Sequence, residues 1–137
     1  MDMRFECGNN HINILNGGNI SASSPIVTGS DKRLKKNIKD IDASDLIDII
    51  NVKSFDYKNG VENQCGVIAQ DFIGTAWEPY VIKKTDDGYY AVNYNTILMA
   101  LVSKVQQQDK KIVDLSNRLS EIEKRNQVIE NAKASNT

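Results

Sequence analysis

The chain has 137 residues, 26% of them charged and 40% hydrophobic, with a formal net charge of −1. That length allows one modest domain, and the near-neutral balance argues against a partner such as a nucleic-acid polymer. The longest apolar stretches, such as Ile97 to Val102, fall far short of the roughly 20 residues of a membrane-spanning helix, so no membrane partner is expected.

Met1-Asp2-Met3-Arg4 lacks the apolar core of a signal peptide. Cys7 and Cys65 are far apart, which is neither a disulfide framework nor a metal-binding spacing and fits a reducing compartment. The single histidine, His11, has no partner at ligand spacing, so no metal site is expected.

Residues 1–29 are poor in charge and rich in Asn, Gly and Ser. His11-Ile12-Asn13-Ile14-Leu15 and Ile20-Ser21-Ala22 alternate, and Asn16-Gly17-Gly18-Asn19 separates them. Short strands and tight turns are predicted. With few large apolar side chains to bury, the segment reads as the remnant of a fibrous β stalk belonging to a parent protein.

Residues 30–92 read as the globular part. A helix is predicted over Asp45-Leu46-Ile47-Asp48-Ile49-Ile50, with Ser44 as its N-cap. Lys53-Ser54-Phe55-Asp56-Tyr57 alternates into the turn pair Asn59-Gly60. Gly66-Val67-Ile68-Ala69-Gln70-Asp71-Phe72 reads as a buried strand or a strand-to-helix step. Tyr80-Val81-Ile82 and Tyr89-Tyr90-Ala91-Val92 flank Asp86-Asp87-Gly88, a hairpin signal with glycine where a positive φ is wanted.

From Asn93 onward neither Gly nor Pro occurs. One helix is predicted over 93–131, capped by Asn93 or Asn95, with a disordered tail at 132–137. With Leu98 at heptad position a, the a and d residues are Leu98, Leu101, Val105, Gln108, Ile112, Leu115, Leu119, Ile122, Asn126 and Ile129. Eight of these ten are apolar and charges flank the seam, the pattern of a self-associating coiled coil. Ile112 with Leu115 favours dimers, whereas Leu119 with Ile122 favours higher order. The expected class is therefore α+β: short strands and a hairpin, then a long coiled-coil helix.

Ser30 and Lys35 are the candidates for chemistry. A serine hydroxyl is a weak nucleophile until a base takes its proton. A lysine can be that base in its neutral form, which burial and neighbouring cations both favour. Lys32, Arg33 and Lys36 surround Lys35, and a single turn would bring its amine back to Ser30. The competing reading is a surface turn with a solvated cationic face. The cluster from Lys32 to Lys39 can also hold a nucleotide's phosphates.

The stretch Ser30-Asp31-Lys32-Arg33-Leu34-Lys35-Lys36-Asn37-Ile38 resembles the opening S-D-x-R-L-K-x-N-I of the endosialidase-type intramolecular chaperone. That auto-cleaving domain ends phage tailspike and neck appendage proteins, and a related one occurs in a eukaryotic membrane-bound transcription factor. Phe55-Asp56-Tyr57, Gly66 to Phe72, Pro79-Tyr80-Val81-Ile82 and Val92-Asn93-Tyr94 are similar to further family elements in the same order, over residues 30 to about 125.

The resemblance implies a homotrimer that brings the preceding fibre of its own precursor into register and then cuts itself off. It would act once, as a serine–lysine self-cleaving peptidase, in the host bacterium during phage assembly, with the parent fibre going to the virion. Ser30 is then the nucleophile, Lys35 the base and Ser30–Asp31 the bond cut, with no cofactor required. Attack on its own carbonyl would close a four-membered ring. Attack on the Gly29 carbonyl closes a five-membered one, and attack by a neighbouring chain's serine is a third route. Asn37, Cys65 and Gln70 are the accessory candidates: Gln70 as an oxyanion donor, Cys65 where relatives carry a histidine. Cys65 reads otherwise as a small buried hydrophobe, and Gln70 and Asn37 as structural amides. A passive trimeric foot or adhesion module without chemistry is the alternative function.

Overall fold

The computed structural model describes residues 2–15 and 19–136. These fall into two units, 1–40 with 52–66 and 41–51 with 67–137. The class is α+β: small antiparallel sheets of short strands and one long C-terminal helix.

In the first unit three strands form an antiparallel sheet: β1 (Met3–Cys7), β2 (Asn10–Ile14) and β3 (Ile20–Ala22). The alternation in His11 to Leu15 foretold β2, which pairs Ile12 with Ala22 on one side and with Phe5 on the other. β1 was not foreseen, although Met3-Arg4-Phe5-Glu6-Cys7 alternates apolar and charged residues as a strand does. Of the turn expected at 16–19, residues 16–18 lie outside the described residues.

The same unit holds a hairpin of β4 (Lys53–Phe55) and β5 (Gln64–Gly66). Its loop closes where Tyr57 N donates to Val61 O at 2.7 Å and Gly60 N to Tyr57 O at 3.0 Å. Gly60 sits at φ 98°, a left-handed conformation that costs glycine little, which is why Asn59-Gly60 turns the chain as its sequence predicts. The strand stops at Phe55 because Asp56 Oδ1 takes the Asn63 amide, at 2.8 Å, in place of a ladder bond. Cys65 lies opposite Ser54 in this hairpin and is exposed. The expectation of a buried hydrophobe there is corrected: two strands leave a sheet face with nothing above it.

The second unit carries the core. Ala43, Leu46, Phe72, Val81 and Ala100 are buried, and Ile47, Ile50, Val67, Trp77 and Ile97 pack around them. The short helix α1 (Ser44–Asp48) lies against the start of α3 (Tyr94–Ser135). Ser103 Oγ accepts from Ala43 N at 3.3 Å, and Lys104 pairs with Asp48 at 3.0 Å. Ser44 is not the N-cap of α1. Its own amide donates to Asp42 Oδ1 at 2.9 Å, so the carboxylate two residues back serves the helix start and the serine is drawn into the core.

The Gly66 to Phe72 stretch is a strand-to-helix step: β5 ends at Gly66 and a 3-10 turn runs from Ala69 to Phe72, delivering Phe72 into the core. The hairpin of β6 (Ile82–Lys84) and β7 (Tyr90–Val92) forms around Asp86-Asp87-Gly88, with Gly88 at φ 86°. Tyr80 and Val81, expected in its first strand, instead close the short helix α2 (Glu78–Val81), which Pro79 helps to start.

Asn93 caps α3, its Oδ1 accepting from Asn95 N at 3.1 Å, as the sequence predicts. The helix runs on to Ser135. Over its first turns Ile97, Ala100, Ser103, Lys104 and Gln107 turn inward, while Leu98, Leu101 and Val105 stay exposed. From Gln108 to Asn136 every residue is exposed. Among the described residues no helix is long and apolar enough to cross a membrane.

Candidate functional site

Asp31 builds the local geometry around Ser30. Its Oδ1 accepts the Arg33 amide at 2.8 Å, capping a 3-10 turn over Lys32–Leu34. Leu34 N donates to Asp31 O at 3.0 Å and Lys35 N to Lys32 O at 3.1 Å. The Arg33 guanidinium doubles back on the same carboxylate, Nε to Oδ1 at 3.0 Å and Nη2 to Oδ2 at 2.7 Å. Planar fork on carboxylate is the geometry that holds best, because both bonds are charge-assisted.

That turn bends the chain over the three residues Lys32–Leu34. Lys35 follows it in extended conformation (φ −117°, ψ 152°), and its Nζ donates to Ser30 Oγ at 2.6 Å. The spacing of five residues is thus one short turn plus an extended lysine. Both residues are exposed in the single chain. Chemically the pair offers a hydroxyl oxygen in direct contact with an amine, the contact needed for proton transfer out of the hydroxyl.

The Arg33 fork also revises the expected electrostatics around Lys35. Arg33 was counted among the cations pressing on Lys35, yet its charge is met by Asp31. The side-chain bond from Arg33, with its backbone amide second, holds the Asp31 carboxyl below the ordinary aspartate value of 3.8. In return Asp31 raises the Arg33 guanidinium above its ordinary value.

A lowered folded value means that the carboxylate supports the turn at every pH above the ordinary aspartate range. That support is lost only as pH falls through the folded value. A carbon-detected NMR titration of Asp31 in the Ser30→Ala chain, which stays intact, is expected to give a midpoint below that of the same residue in that chain unfolded in urea. Equal midpoints would show that the fork does not hold in solution.

The accessory candidates beside this pair were Asn37, Cys65 and Gln70. Asn37 follows it at φ 54°, a left-handed conformation that Asn tolerates better than most residues. Cys65 is exposed on β5. Among the described residues neither is hydrogen-bonded to Ser30 or Lys35. Gln70 belongs to the second unit, in the 3-10 turn, where its carbonyl accepts Ile73 N at 3.2 Å. Sequence reasoning missed Asp31 and Arg33 as the residues that shape the turn. The available signal was an aspartate two residues before an arginine, since Asp side chains commonly bond the backbone amide two positions on. Among the described residues no group of three or more His, Cys, Asp or Glu is placed to hold a metal ion.

Residues 30–76 match the family model Peptidase_S74, described as chaperone of endosialidase. The match begins at Ser30 and takes in Lys35, Asn37, Cys65 and Gln70; the second hairpin and α3 lie beyond it. No curated protein matches the chain.

Proposed function

With residues 30–76 carrying the endosialidase-chaperone segment, we propose that the chain trimerises the fibre preceding it and then cuts itself free, Ser30 acting as nucleophile and Lys35 as base. The family match supports a chaperone role. The observation that carries the catalytic part is the 2.6 Å contact between Lys35 Nζ and Ser30 Oγ.

Self-association is supported by surface that one chain leaves uncovered. The chain exposes 11865 Å², against about 7,100 Å² expected for a folded monomer of its mass. Ile112, Leu115, Leu119, Ile122 and Ile129 are all more than half exposed. A coiled coil of three such helices would hold the preceding segments at high local concentration. Cutting afterwards removes the clamp and leaves the assembled fibre kinetically trapped. Such a domain acts where the fibre is made, in the bacterial host during phage assembly.

In the reaction the neutral Lys35 amine takes the Ser30 hydroxyl proton as Oγ bonds to the scissile carbonyl carbon. The lysine then gives that proton to the departing amide nitrogen, the C–N bond breaks, and an ester remains for water to hydrolyse. Ring size links the bond cut to the route. Within one chain Oγ reaches the Gly29 carbonyl through a five-membered ring. The Ser30–Asp31 bond needs a four-membered one, so that bond is cut by the Ser30 of a neighbouring copy. We assign Ser30–Asp31, and with it cleavage between chains of the trimer. Leu34 and Ile38, exposed on the same segment, supply an apolar surface on which a neighbour would pack and dry the pair.

Intact-mass measurement of the C-terminal product tests the assignment. A product beginning at Asp31, formed only by assembled chains, is the expected result. One beginning at Ser30, formed at the same rate on dilution to monomer, would establish the within-chain shift instead. A chain that assembles and never cuts would be a passive trimeric foot.

A further inference from the structure

The seam of α3 is flanked by charges sorted by sign. In the heptad frame that places Leu98 at a, the g positions are Lys104, Lys111, Arg118 and Arg125, all cationic. The following e positions are Asp109, Ser116, Glu123 and Glu130. In a parallel pair of helices each g residue faces the e residue five positions on in the neighbour, whereas in an antiparallel pair g faces g and e faces e.

We propose that this sorting makes the exposed α3 face a docking surface for a second copy of the same chain, parallel and in register. Arg118 and Arg125 of one copy pair with Glu123 and Glu130 of the next. The inference rests on the self-association proposed above and adds which residues set orientation and stagger.

The single chain leaves these groups available. Lys104 is held at 3.0 Å by Asp48 of its own chain, which removes it from the code. Arg118 has only a loose contact with Asp114 at 3.9 Å, both side chains being more than two-thirds exposed. Parallel docking gives each interface two attractive pairs from Arg118 and Arg125. Antiparallel docking sets cations against cations and carboxylates against carboxylates along the same edges.

Charges alone tolerate a shift of one heptad, because Arg118 would then meet Glu130. The polar seam residues do not tolerate it. In register Gln108 meets Gln108 and Asn126 meets Asn126, and each amide finds a donor and an acceptor. A one-heptad shift sets Gln108 against Leu101 or Leu115, leaving a buried amide without a partner, which is costly. Orientation therefore comes from the e and g edges, and stagger from Gln108 and Asn126.

The test uses the full chain with Ser30→Ala, so that it stays intact. One variant carries Arg118→Glu and Arg125→Glu; the other carries Glu123→Arg and Glu130→Arg. Sedimentation equilibrium is expected to show each variant alone associating roughly tenfold or more weakly than the parent, since attraction becomes repulsion at two pairs. Their equimolar mixture is expected to regain association in part, since a mixed trimer has two attractive interfaces and one repulsive one, and this recovery also shows that both variants fold. A parallel, in-register assembly should further give an Ile129→Cys disulfide between chains lacking Cys7 and Cys65. Variants that associate like the parent, a mixture that does not recover, or no Ile129→Cys crosslink would each overturn the pairing while self-association stands. A monomeric parent would overturn both, and failure of the Ser30-containing chain to cut would bear on autoproteolysis alone.

Discussion

Ser30→Ala is expected to leave a single full-length band where the parent chain gives two fragments. Removing the oxygen removes the only atom that this segment places against the Lys35 amine, at 2.6 Å. Lys35→Ala should slow cleavage on the order of 100- to 10,000-fold, the usual worth of a positioned general base. Lys35→Arg distinguishes a base from a structural cation. Arginine keeps the charge and can still donate to Ser30 Oγ, yet it never gives up its proton in a protein. If Lys35 merely held the turn, the arginine variant would cut; as a base, it is expected not to. The turn itself is held by the Asp31–Arg33 fork, so both Lys35 variants should keep the Asp31 titration of the uncut Ser30→Ala chain. Fragments from Ser30→Ala, at the parent's rate, would remove Ser30 as nucleophile altogether.

Phe72→Ala is expected to cost about 3–5 kcal/mol, the range for truncating a buried Phe. The second unit makes this severe. Among the described residues its core has five buried hydrophobic residues, and Phe72 is the largest, with no exposed surface. A loss of that size is a large part of the roughly 5–15 kcal/mol that holds a domain folded. Urea unfolding followed by Trp77 fluorescence, at one fixed chain concentration, should move to a much lower midpoint, because Trp77 packs against that core. Glu62→Gln, at an exposed site, should shift the curve by no more than about 0.5 kcal/mol. A Phe72→Ala curve matching that of Glu62→Gln would mean that the hydrophobic cluster around Phe72 does not carry the unit's stability.

Much of this arrangement was legible locally. Asn59-Gly60 and Asp86-Asp87-Gly88 turned where expected, because a positive φ is a demand one residue can meet alone. Asn93 capped α3 for a similar reason: the acceptor and the amide it serves are two residues apart. The Ser30 and Lys35 contact also needed only one turn, yet Arg33 was read as one of a cluster of cations and Asp31 as the residue after the bond cut. Their fork depends on a rotamer choice that spacing does not reveal. Ser44 failed as a cap because it is itself the first residue of α1, its amide held by Asp42 and its side chain taken into the core.

The sequence by itself determined the periodicities: alternation in β2 and the seam of α3 with its sorted charges. These follow from side-chain direction along a single element. Only the tertiary structure decided what each face is used for. Whether Cys65 is covered depends on what packs onto its face of the hairpin, and in the single chain it is exposed. Which side of α3 is spent depends on α1, whose start meets Ser103 from 60 residues away in the chain, packing there and against Ala100 and leaving Leu98, Leu101 and the rest of the seam open. Burial is a property of what arrives from elsewhere in the chain, and for this seam also of what arrives from another copy.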